Sequence, residues 1–104
     1  MAAHWEAWLP KWRTYSKNAI TRAMNNLLDR DDISPQVSNI LHPVLVTHGD
    51  SDLGMPMVLG KNLSQQLKTC QGFVVAHGAA HIANFTHPDA INPSIVEFMN
   101  KVTN

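Results

Sequence analysis

An α/β fold class follows from three features of this chain. Two short apolar runs rich in β-branched residues, PVLVT at 43–47 and FVVAH at 73–77, have the profile of strands covered on both faces. Between them, residues 56–68 place Met57, Leu59, Leu63 and Leu67 at helical spacing. Beyond the second run, a segment opened by Pro93 carries Ile95, Val96, Phe98, Met99 and Val102, the pattern of a closing helix. Two parallel strands joined by a helix form a βαβ unit, and such units are right-handed.

Taken in order, the elements begin with Trp5, Trp8 and Trp12 at spacings of three and four. Proline is tolerated in a first helical turn but not mid-helix, so Pro10 restricts this stretch to a short helix or turn. Ser16 is a good N-cap for a helix running to about residue 29. Its apolar positions Ile20, Ala23, Met24, Leu27 and Leu28 recur at i, i+3, i+4, i+7 and i+8. That apolar face has to dock on something. LDRDDISPQ, residues 28–36, is polar and proline-containing, and reads as a loop. Gly60 weakens the helix at 56–68. Two segments emerge, 1–35 helical and 36–104 α/β, within one compact domain.

Composition narrows the function. With 104 residues the chain is one small domain, and an apolar fraction of 44% excludes a disordered tail. Eight basic and eight acidic side chains cancel, which leaves no electrostatic footprint for nucleic acid or an anionic membrane. The single Cys70 excludes an internal disulfide and suits a reducing compartment. No apolar run reaches the roughly 18 residues of a membrane span, and the N-terminus lacks the pattern of a signal peptide. The expectation is a cytoplasmic protein.

In a parallel sheet, catalytic groups collect outside the C-terminal ends of the strands. Asp50 and Asp52 follow the first strand, and His77 and His81 follow the second. An Asp that accepts from one imidazole nitrogen fixes the tautomer and leaves the other nitrogen free to act as a base. HGDSD alone is equally compatible with a structural turn. His77, His81 and His87 form a cluster of metal-ligand type, but Gly78 and two alanines put the first two in a turn rather than on one helix face. Cys70 enters the second strand at the end opposite His81, which argues against it as a nucleophile. No metal or other cofactor is expected.

Read together, PVLVTHGDSDLGMP and GFVVAHGAAHIANFTHPDAINPSIVEFM resemble the C-terminal portion of the α/β-hydrolase family. In that family a strand ends in HG, the triad acid follows, and a proline opens the next helix. The last strand leads to a G-x-x-H turn bearing the triad histidine. His48-Gly49-Asp50-Ser51-Asp52 with Pro56 matches the acid segment and places the acid at Asp52. Gly78-Ala79-Ala80-His81 matches the histidine turn and places the base at His81. WRTYSKNAITRAMNNLLDRDD resembles the cap-to-core connection, so the likeness covers roughly residues 12–102 and makes 1–35 cap-like. It implies a truncated α/β-hydrolase-like fold of bacterial esterase type.

The family's nucleophile sits in a G-x-S-x-G elbow upstream of the acid. None of Ser16, Ser34, Ser38, Ser51, Ser64 and Ser94 is flanked by that glycine pair. Ser51, beside Asp52, is the serine nearest the implied site and is taken as the candidate nucleophile. The implied activity is hydrolysis of carboxylic ester-type substrates by Asp52, His81 and a non-standard serine. The alternative is a non-catalytic remnant or split half. Two strands leave both sheet edges open, so a homo-oligomer or a separate N-terminal half is expected to complete the sheet.

Overall fold

The computed structural model describes residues 2–104, with side chains described from Glu6 onward. The chain divides into two compact units, Met1–Ile33 and Ser34–Asn104.

The first unit is a pair of helices, α1 at Ala2–Arg13 and α2 at Lys17–Leu28. Of the short helix or turn expected here, a helix forms, and it continues through Pro10 to Arg13. Proline at this position removes one hydrogen bond, the one to the Glu6 carbonyl, and the turns on either side continue the helix. Trp8 and Trp12 pack with ring centroids 6.5 Å apart and planes tilted by 51°, with the Lys11 ammonium 5.1 Å from the Trp8 ring centre. The side chain of Trp5 lies outside the described residues. In α2, Ser16 is the N-cap, its Oγ accepting from the Ala19 N–H at 3.2 Å. The apolar stripe of Ile20, Met24, Leu27 and Leu28 is exposed, and α2 has no buried residue.

The second unit opens with a 3-10 turn at Ser34–Asn39, which overlaps the end of the loop expected at 28–36 and buries Val37. Strand β1 spans Val44–Gly49, helix α3 Met57–Gln66 and strand β2 Cys70–Ala76. The strands pair in parallel, with Leu45 opposite Gly72, Val46 opposite Phe73 and Gly49 opposite Ala76. A one-turn helix, α4 at Ala83–Thr86, leads into α5 at Pro88–Thr103. The fold class is therefore α/β: a two-stranded parallel sheet with helices.

Two small cores lie on the two faces of this sheet, because side chains alternate along a strand. Val46 packs with Val37 and Leu67, joined by Val44 and Phe73. On the other face Ala76, Ala79, Ala83 and Ile91 cluster with Val74. The strands were expected to be covered on both faces, yet within β1 only Val46 and Gly49 are buried. With two strands, each has one open edge, and the flanking residues stay half-exposed. The helical assignments shift similarly. Leu59 and Leu63 of α3 are exposed, whereas Gly60 and Leu67 are buried. The closing helix begins at Pro88 rather than Pro93. Pro88 takes the first-turn position that suits proline, and Pro93 is absorbed one turn later at the loss of one hydrogen bond. The buried anchor of α5 is thus Ile91, with no exposed surface, while Ile95, Val96, Met99 and Val102 remain exposed. Among the described residues, no helix is long and apolar enough to cross a membrane.

Candidate functional site

The parallel register puts the ends of β1 and β2 side by side, so the residues just past Gly49 meet those just past Ala76. Backbone bonds tie the two loops together. The Asp50 N–H donates to the Ala76 carbonyl at 3.3 Å and the Ser51 N–H to the Ala79 carbonyl at 2.9 Å. Such close approach requires Gly49: a Cβ there would meet the Ala79 and Ala80 carbonyl oxygens, the latter at 2.6 Å. Gly78 supplies the only positive φ among the described residues, +75°, where a side chain would be strained.

Two carboxylate–imidazole pairs result. The His81 Nδ1–H donates to Asp52 Oδ2 at 2.8 Å. The His77 Nδ1–H donates to Asp50 Oδ2, also at 2.8 Å. They differ in surroundings. The Asp52 side chain is only 5% exposed, and its Oδ1 accepts from the Gly54 and Met55 N–H groups at 3.0 and 2.9 Å. Those bonds, the Met55 N–H foremost and then His81, hold its carboxyl below the ordinary carboxylate value. Asp50 is more open. It accepts from His77 and from the Gly78 N–H at 2.7 Å, and these lower its pKa in that order. His77 is 85% exposed, whereas His81 and Asp52 line a cavity of about 420 Å³ that does not include His77. Thr47, His48, Gly49, Met55, Ala83, Asn84 and Ile95 complete its lining.

Of the residues singled out in the sequence, Asp52 and His81 come together on this wall. Ser51 does not join them: its Oγ donates to Asp50 Oδ1 at 3.3 Å, and it is not part of the lining. His87 bonds to the Thr86 hydroxyl at 2.9 Å. Cys70 lies at the opposite end of β2, its Sγ directed to the Gly72 carbonyl. Among the described residues, no three His, Cys, Asp or Glu side chains are grouped to hold a metal ion. Sequence reading missed the Asp50–His77 pair and the part of His48. The first was open to counting, since Asp50 and His77 each stand one residue beyond a strand end, and those ends are opposite in register. The second was not: the His48 Nε2–H donates to the Met55 carbonyl at 2.8 Å, a contact set by how the loop folds back.

Fold and site together define a class, an α/β unit with an acid-supported histidine at the carboxyl ends of its parallel strands. No protein-family profile matches the chain. Over 71 residues, 67% of its length, it is 32% identical to a Synechocystis sp. protein named "Putative non-heme chloroperoxidase". The chain spans 24% of that protein's length, about a quarter.

Proposed function

We propose that this chain carries the acid and base of an α/β-hydrolase acting on carboxylic ester-type substrates, with residues 1–35 as a cap-like segment and a cytoplasmic location. The observation that carries the reading is the 2.8 Å bond from His81 Nδ1 to the buried Asp52 carboxylate, on the wall of a cavity. The 32% identity over 71 residues to the Synechocystis protein named a putative non-heme chloroperoxidase is in keeping with it. In this reading Asp52 keeps the proton on Nδ1, so the Nε2 lone pair takes the proton of an attacking hydroxyl. The carboxylate then stabilises the imidazolium, which returns the proton to the departing alkoxide.

Ser51 is the nucleophile candidate within the chain, and reaching His81 requires its Oγ to leave Asp50. A second reading is favoured by that placement and by the open edges of the sheet. The site is completed by another polypeptide, either a second copy or an N-terminal half that supplies a G-x-S-x-G serine.

A fluorophosphonate probe with mass spectrometry of the labelled peptide separates these readings. Label on Ser51 that is lost in His81→Ala supports an in-chain nucleophile. No label on the chain alone, with label appearing on a partner serine only in the complex, supports completion by another polypeptide. No label in either case, and no His81-dependent cleavage of short activated esters, overturns the enzymatic reading. Light scattering that finds a folded monomer at micromolar concentration overturns self-association.

A further inference from the structure

We propose that His48 is a positioning residue for the acid, and that Gly60 is present to give its ring room. His48 is the penultimate residue of β1, so its backbone is held by the sheet. Its Nε2–H reaches across the turn to the Met55 carbonyl at 2.8 Å. The N–H of the same Met55 donates to Asp52 Oδ1 at 2.9 Å, and the other oxygen of Asp52 holds His81 Nδ1 at 2.8 Å. A continuous series of hydrogen bonds therefore runs from a strand-anchored imidazole, through one loop residue, to the carboxylate and the exposed His81. Loop 53–56 lies outside regular secondary structure, and Leu53, Gly54, Met55 and Pro56 are all exposed. Without His48, the side-chain hydrogen bonds left to that loop are the two to Asp52, and the Met55 N–H is freer to swing off the carboxylate.

Gly60 points to the same role independently. It is buried in the first half of α3, where glycine is a poor helix former. A Cβ there would stand 2.5 Å from His48 Nδ1 and 3.2 and 3.3 Å from its Cγ and Cε1. The imidazole is a rigid ring held at both ends, by β1 and by Met55, so it cannot yield without breaking its bond to the loop. The same placement assigns the tautomer. Nε2 must carry a proton to donate to a carbonyl, so in the neutral ring Nδ1 is the bare nitrogen facing the helix.

The inference rests on the proposed function only for its catalytic meaning; the positioning is tested without catalysis. Imidazole ¹⁵N–¹H correlation spectra of the intact chain at about pH 9, where neutral imidazole dominates, report the tautomer of each histidine. Hydrogen exchange reports the Met55 amide. In the unmodified chain His48 is expected as Nε2–H and His81 as Nδ1–H, with Met55 protected. His48→Gln, whose amide can still donate, is expected to keep the His81 tautomer. His48→Phe and Gly60→Ala are expected to lose it and to speed Met55 exchange at least tenfold. An Nδ1–H tautomer for His48 in the unmodified chain overturns the proposal without any variant. So does a folded His48→Phe chain with unchanged His81 tautomer and Met55 protection. Absent fluorophosphonate labelling and esterase activity, both in the chain alone and in the complex, with these spectra as expected overturn the hydrolase reading and leave the positioning intact.

Discussion

Gly49→Ala is the sharpest probe of how the two strand-end loops are joined. An added Cβ would stand 2.6 Å from the Ala80 carbonyl oxygen and 2.7 Å from the Ala79 carbonyl carbon. Carbon–oxygen contacts settle at about 3.3–3.6 Å, so the 79–80 backbone has to retreat by roughly 0.7 Å or more. Overpacking typically costs about 1–3 kcal/mol, and rigid backbone on the receiving side puts this case at the upper end. The retreat also takes the Ala79 carbonyl away from the Ser51 N–H, now at 2.9 Å, for about 1 kcal/mol more. Restricting the unfolded chain returns up to about 1 kcal/mol. The expected net loss is about 3 kcal/mol, a shift of roughly 150-fold in the folding equilibrium. Gly54→Ala is the control: its Cβ would meet only Asp52 Oδ1, at 3.5 Å, and its φ is not positive. That variant should lie between neutral and about 1 kcal/mol more stable. Tryptophan fluorescence is the wrong assay, because Trp5, Trp8 and Trp12 all belong to the helical unit. Urea unfolding followed by hydrogen exchange of β2 amides reads the α/β unit directly. A Gly49→Ala chain within about 0.5 kcal/mol of the parent would refute the close-approach argument.

Two further predictions test the same unit. Asp50 and Asp52 both have carboxyls lowered by hydrogen bonds in the folded chain. Their contribution to stability is therefore complete above the unfolded carboxylate value of about 3.9 and is lost as pH falls through the lower folded values. Urea midpoints from pH 7 down to 2.5 should fall, and an Asp50→Asn, Asp52→Asn double variant should show a flatter acid limb; parallel curves would contradict the assignment. Ile91→Ala, at the one fully buried large side chain of the described residues, should cost about 3 kcal/mol. Val96→Ala, on the exposed side of the same helix, should cost under about 1 kcal/mol, as read by urea unfolding.

The order of elements in the α/β unit was legible because hydrophobic period is a local property. VLVT and FVVA read as strands, and the parallel pairing then follows from the helix between them. Ser16 was legible for the same reason, since a cap is satisfied within three residues. Where the reading missed, tertiary packing had the deciding vote. Leu59 and Leu63 looked buried by spacing, but α3 turns Gly60 inward because a histidine ring from β1 occupies the space where a larger side chain would go. Pro93 looked like a helix start, yet Pro88 offers the same advantage five residues earlier and brings Ile91 onto the sheet.

At the site, the sequence by itself determined that acidic residues follow one strand and histidines the next, and that no serine stands in a glycine elbow. Register decided the pairing. With Gly49 opposite Ala76, Asp50 falls to His77 and Asp52 to His81. Only the folded loops could show that Asp52 is the buried member and that Ser51 turns to Asp50. Burial and hydrogen-bond geometry depend on residues distant along the chain, and a sequence records those residues without recording which of them come to touch.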